Sequence, residues 1–143
     1  MRLLRIILLT FTACIVMCQT AYAQYGFDWI QFDQDYYKFK IGEEGIYRID
    51  QQALANAGIP IASINPKNIQ IFRHGQEIPI YIEGESDNNF DATDYIEFYA
   101  RKNDGELDKA LYRSPGEQPH DEISLMNDTA IYFLSWNNST SNL

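Results

Sequence analysis

The sequence predicts a mainly β fold: an antiparallel, jelly-roll-like β-sandwich with one short helix, preceded by a signal peptide. Three observations carry this. First, Tyr95 to Arg101 alternates with a period of two: Ile96, Phe98 and Ala100 face one way, Tyr95, Glu97, Tyr99 and Arg101 the other. That is the pattern of a half-buried strand. Second, six to eight such short runs are spaced by Gly-, Asn-, Asp- and Pro-rich turns, as in two-sheet β folds. Third, only Gln51 to Ala57 has a helical character.

The first 23 residues form a separate unit. Arg2 and Arg5 give a basic start, Ile6 to Met17 is an apolar run of 12 residues, and Ala21-Tyr22-Ala23 fits the small-x-small rule for cleavage before Gln24. This is the layout of a secretory signal. The run is short for a membrane span. A rival reading makes Phe11-Thr12-Ala13-Cys14 a lipidation box, but little apolar sequence precedes Cys14. Cleavage leaves 120 residues, none of them cysteine, since Cys14 and Cys18 both lie in the signal. The exported chain therefore has no disulfide and no thiol nucleophile, although it enters an oxidising compartment. Packing must hold it together, and 18 aromatic residues remain to do so. Loss of Arg2 and Arg5 takes the formal net charge from −9 to −11. A chain so acidic repels nucleic acid and anionic membranes.

Residues 24–136 are expected to form the β-domain. Phe27, Trp29, Ile30 and Phe32 make a leading segment or edge strand. Tyr37, Phe39 and Ile41 share one strand face, with Lys38 and Lys40 opposite. Gly42-Glu43-Glu44-Gly45 turns the chain, and Ile46 to Ile49 returns as the hairpin partner. Asp50 is a suitable N-cap for the helix, Gly58 a left-handed stop, and Pro60 prevents resumption. Leu54 and Ala57 are expected to pack on the sheets. Ile69 to Arg73 is a strand, His74-Gly75 a tight reversal, and Gln76 to Glu83 the return strand. Pro79 lies inside that return strand and donates nothing, so the strand belongs at an edge. After the loop from Gly84 to Thr93 comes the strand around Phe98, then an irregular segment or strand over Leu107 to Tyr112 and a loop over Ser114 to Glu122. Ala130 to Trp136, apolar on both faces, is expected to be central and doubly covered. Residues 137–143 are polar, and suggest a linker or truncation point. No transmembrane helix is expected after the signal.

Sequence offers no complete catalytic constellation. His74 and His120 are the only imidazoles, both in loops, and zinc needs three or four convergent ligands. Ser114 and Ser124 bracket His120, but no G-x-S-x-G elbow occurs. Carboxylates are too numerous to nominate a glycosidase pair. Asp87, Asn88, Asp91 and Asp94, and separately Asp104, Glu106 and Asp108, are candidate calcium ligands in loops, although Asp, Asn and Gly are also ordinary turn residues. Trp29 and Tyr99 could stack on sugars, or serve as core. No cofactor is expected beyond calcium at those carboxylates.

An ordered set of segments resembles a known family. Tyr36-Tyr37-Lys38-Phe39-Lys40, Glu44-Gly45-Ile46-Tyr47-Arg48-Ile49, Ala57-Gly58-Ile59, Ile71 to Tyr81, Asp94 to Tyr99, Lys102 to Asp108, Ser124-Leu125 and Asp128 to Leu134 are similar to the N-terminal region of the gingipain-like cysteine peptidases. The nearest resemblance is to the sortase-like signal peptidases of the type IX secretion system. The resemblance implies a non-catalytic, propeptide-like domain that shields, scaffolds or docks. The catalytic cysteine and histidine would lie in a downstream peptidase domain, so no catalytic residue is carried over to this chain. It further implies partners in that domain and in other secretion components, and an outer-membrane, cell-surface or periplasmic location. Whether the domain is cleaved or retained stays open. The alternative is a stand-alone secreted surface module, for example one that binds glycans.

Overall fold

In the computed structural model, residues 27–138 and 141–143 are described. The signal segment, residues 1–23, lies outside them. Among the described residues, seven strands form two antiparallel sheets: β1 (Tyr37–Ile41), β2 (Gly45–Asp50), β3 (Ile69–Arg73), β4 (Gln76–Ile78), β5 (Tyr81–Glu83), β6 (Tyr95–Ala100) and β7 (Ala130–Trp136). The four-stranded sheet has the order β1-β7-β3-β4, the three-stranded sheet β2-β6-β5.

Alternation explains which faces meet. In β1, Tyr37, Phe39 and Ile41 turn inward, opposite Leu134, Tyr132 and Ala130 of β7. In β6, Ile96, Phe98 and Ala100 are buried while Tyr99 is exposed. One apolar core joins the two inner faces: Ile71, Tyr132 and Leu134 from one sheet, Ile82, Ile96 and Phe98 from the other. Phe98 lies 6.0 Å from Phe39 and 6.2 Å from Tyr132, ring centre to ring centre. The Tyr132 hydroxyl donates to the Arg101 carbonyl and accepts from its amide, at 3.0 and 2.8 Å, which pins β7 to the exit of β6.

β7 is central and covered on both faces, as its composition predicts. Its outer residues Ile131 and Phe133 lie under the leading segment, where Trp29 sits 5.4 Å from each of Phe133, Phe72 and Tyr36. That segment contributes turns and no strand.

Two pairings differ from expectation for one reason. β2 is not the hairpin partner of β1: β1 pairs with β7 and β2 with β6, in different sheets. The turn at Gly42 to Glu44 carries the chain across to the other sheet, where Tyr47 and Ile49 pack against the shared core and Tyr47 stacks on Phe98. Likewise Gln76 to Glu83 is not one strand. It breaks at Pro79-Ile80, β4 finishing in one sheet and β5 starting in the other. A residue without an N–H fits a position where the ladder changes partner. Both pieces are sheet edges, as Pro79 requires.

The helix α1 (Gln51–Asn56) begins where expected, with the Asp50 carboxylate accepting from the Ala53 amide at 2.8 Å. It ends in a Schellman motif: Gly58 at φ +78° donates to the Ala55 carbonyl and Ile59 to that of Leu54. Leu54 is buried, but Ala57 is exposed. Ile59, swung inward by the left-handed glycine, takes the packing role expected of Ala57. Glu106–Leu111 is a 3-10 segment rather than a strand. Among the described residues, no helix is long and apolar enough to cross a membrane.

Candidate functional site

A groove of about 920 Å³ lies on the outer face of the four-stranded sheet. Phe27, Trp29 and Ile30 of the leading segment line it, with Ile131 and Phe133 of β7, the His74-Gly75 turn, and Glu106 to Ala110. The lining is mostly apolar with a few polar groups, the usual character of a binding site. Phe27 is 66% exposed and Leu107 54%, so apolar surface remains open around the groove.

The turn beside it is tightly specified. His74 and Gly75 have φ of +51° and +77°, the two left-handed residues of a type I′ hairpin joining β3 to β4. A Cβ on Gly75 would come within 2.7 Å of the Trp29 ring, so glycine serves both the turn and the indole packed over it. His74 is half-buried. Burial, and then the neighbouring Arg73 charge, lower its pKa from the ordinary imidazole value. A base whose folded pKa is depressed binds protons more weakly folded than unfolded. Its contribution to stability is therefore complete above the unfolded value, roughly 6.5, and is lost as pH falls toward the folded one. Replacing His74 with asparagine, which tolerates positive φ, is expected to abolish this loss and leave the fold intact. Urea midpoints measured from pH 7.5 to 5 check this: the drop below pH 6.5 should shrink in the variant.

Next to His74, Arg73 reaches Asp104. Their ion pair spans 2.6 Å, with only 15% and 16% of the side chains exposed. The Arg73 guanidinium also donates to the Lys102 carbonyl at 3.3 Å, whereas its buried Nε has no partner among the described residues. For Asp104, burial acts against the charge, but bonds from Arg73 and the Glu106 amide outweigh it and hold the carboxyl below its ordinary value.

The nominated side chains fall in separate places. Asp87 accepts from the Asn89 amide at 2.9 Å, and Asp94, buried, from the Asp91 amide at 2.6 Å. Gly84, at φ +86°, leaves room for Asp94: a Cβ there would be 2.1 Å from its Oδ1. Asp91 is exposed. On the other loop, Asp104 is held by Arg73, and Asp108 accepts from the Ser124 hydroxyl. Among the described residues, no three His, Cys, Asp or Glu side chains converge in a group that could hold a metal ion. The Ser124 hydroxyl oxygen also accepts the amides of Met126 and Asn127, while the exposed His120 ring accepts the Glu122 amide. These contacts are loop-forming, and serine and imidazole serve different partners. Trp29 is packed on β3 and β7, whereas Tyr99 is exposed and donates to Glu44.

Sequence reasoning missed the groove. Its walls come from positions near 29, 74, 108 and 131, and no local motif links them. The available signal was Trp29 beside a strand apolar on both faces, which needs a cover on its outer side. No family model, curated protein or solved structure matches this chain.

Proposed function

We propose that this chain supplies the non-catalytic N-terminal β-domain of a type IX secretion system sortase of the gingipain-like kind, similar to PorU. In this reading the parent endopeptidase removes C-terminal secretion signals from cargo. The two sheets act as a jelly-roll-like scaffold that shields or docks the downstream peptidase domain and other secretion components. The domain is exported and works at the outer membrane or cell surface.

One observation carries the reading. Five of the eight segments that resemble the family coincide, in the same order, with β1, β2, the β3–β4–β5 crossover, β6 and β7, and the other three fall in the turns and loops that connect them. The resemblance therefore touches every strand of both sheets. The open groove adds a surface on which a partner can rest.

In-frame deletion of codons 27–143 in the source organism tests this. Cargo proteins are expected to keep their C-terminal signals, detected as a mass excess in secreted fractions. Normal cargo maturation in the deletion strain would overturn the reading.

A further inference from the structure

We propose that a second, polar pocket, between the leading segment and the end of β7, binds a single neutral sugar ring. It measures about 310 Å³ and is lined by Gln31, Asp33, Gln34, Asp35, Trp136 and the Asn137-Asn138 pair. Its framework is interlocked. The Gln31 side-chain carbonyl accepts from the Gln34 amide at 3.2 Å and from the Asn137 amide at 3.3 Å. The Gln31 backbone amide donates to the Tyr36 hydroxyl at 2.9 Å. Ser135, fully buried, donates to the Asp35 carbonyl at 2.9 Å and ties the segment to β7. Trp136 is half-buried and stacks on Tyr37, with ring centres 5.7 Å apart. The walls are thus set before a ligand arrives, which lowers the ordering cost of binding.

What the framework leaves over defines the ligand. Gln31 spends its side-chain oxygen on two donors, while its side-chain nitrogen has no acceptor among the described residues. The Asp33 and Asp35 carboxylates have no donor among them either. An amide nitrogen only donates, a carboxylate only accepts, and a hydroxyl does both. A ligand with adjacent hydroxyls therefore matches both sets at once. An anion meets two carboxylates and no lining cation. An ammonium satisfies the carboxylates but leaves the amide donor unpaired. An apolar ligand finds a single ring, Trp136, in an otherwise polar wall, whereas such ligands sit in mostly apolar linings. That one ring suits the C–H face of a sugar, since an indole offers a broad apolar surface. The volume lies at the lower end for small-molecule sites, which fits one ring rather than a chain.

This inference goes beyond the peptidase reading and does not rest on it: the deletion experiment above can fail while the pocket still binds, and the reverse. The test uses protein purified after export from the full 143-residue sequence, titrated with the methyl glycosides of glucose, galactose, mannose and N-acetylglucosamine. The chain has two tryptophans, so its proton–nitrogen NMR spectrum carries two indole N–H signals. Trp136→Phe, which removes one of them, identifies which is which. With at least one of the glycosides the Trp136 signal is expected to shift, with a Kd of about 1–10 mM, while the Trp29 signal stays in place. Asp33→Asn should weaken binding roughly tenfold. Asp91→Asn, the same charge change in the loop before β6, should leave it nearly unchanged. Methylammonium and sulfate serve as cationic and anionic probes. No shift with any glycoside at about 50 mM, binding of either ion as tight as that of the glycoside, or equal loss in the two aspartate variants would each overturn the proposal.

Discussion

Asp104→Ala is expected to destabilise the domain by about 3 kcal/mol, because it strands the Arg73 guanidinium in a largely buried position. The pair is nearly covered, and one guanidinium nitrogen has no partner among the described residues, so little remains to compensate the charge. A double replacement by apolar residues, Arg73→Met with Asp104→Leu, should cost far less than the single change. In that variant no uncompensated charge is left behind. Urea denaturation of the wild type and both variants checks this ordering, and a double variant weaker than Asp104→Ala would refute it. The pair also has a pH signature. The folded Asp104 carboxyl titrates below its ordinary value, so its contribution is complete above the unfolded carboxylate pKa and is lost as pH falls through the folded one. Wild type and Asp104→Ala should therefore converge in stability under strongly acid conditions.

Ile71→Ala is expected to cost about 3–4 kcal/mol, through lost burial and the cavity left behind. Ile71 has no exposed surface and sits where three strands meet, opposite Leu134 of β7 on one side and Ile78 of β4 on the other. Its neighbours are held by ladders on both flanks, which limits collapse into the void. Ile46→Ala is the matched control: Ile46 is 72% exposed on the edge strand β2, so its loss should cost little. Comparable midpoint shifts for the two variants would contradict the assignment of faces.

Most individual elements were legible in the sequence. The period of two marked β1 and β6, and the double apolar face of β7 announced a covered central strand. Asp50, Gly58 and the His74-Gly75 pair marked a cap, a stop and a reversal by their chemistry. Pairing was harder to read. A short polar turn such as Gly42 to Glu44 can close a hairpin or carry the chain across a core, and alternation alone is the same in both cases. The choice is made by β6 and β7, whose wide apolar faces take the central positions and leave β2 and β1 on opposite sides. The break at Pro79 was visible as a missing donor, but the change of sheet depends on contacts with residues 96 and 71. The groove and the Arg73–Asp104 pair were illegible for a similar reason: 31 positions separate the two ion-pair partners. The buried Asp94 and Asp108, nominated in the sequence as calcium ligands, accept from the Asp91 amide and the Ser124 hydroxyl, contacts that no local spacing announces.

The position of β7 has a consequence for the order in which the layers close. Among the described residues it is the last strand in sequence, yet it sits between β1 and β3, so β1 has no ladder and β3 only its hairpin with β4 until residues 130–136 have appeared. Pairings this distant in sequence form slowly. The three-stranded layer has all its strands by Ala100, so the four-stranded layer is the last to close.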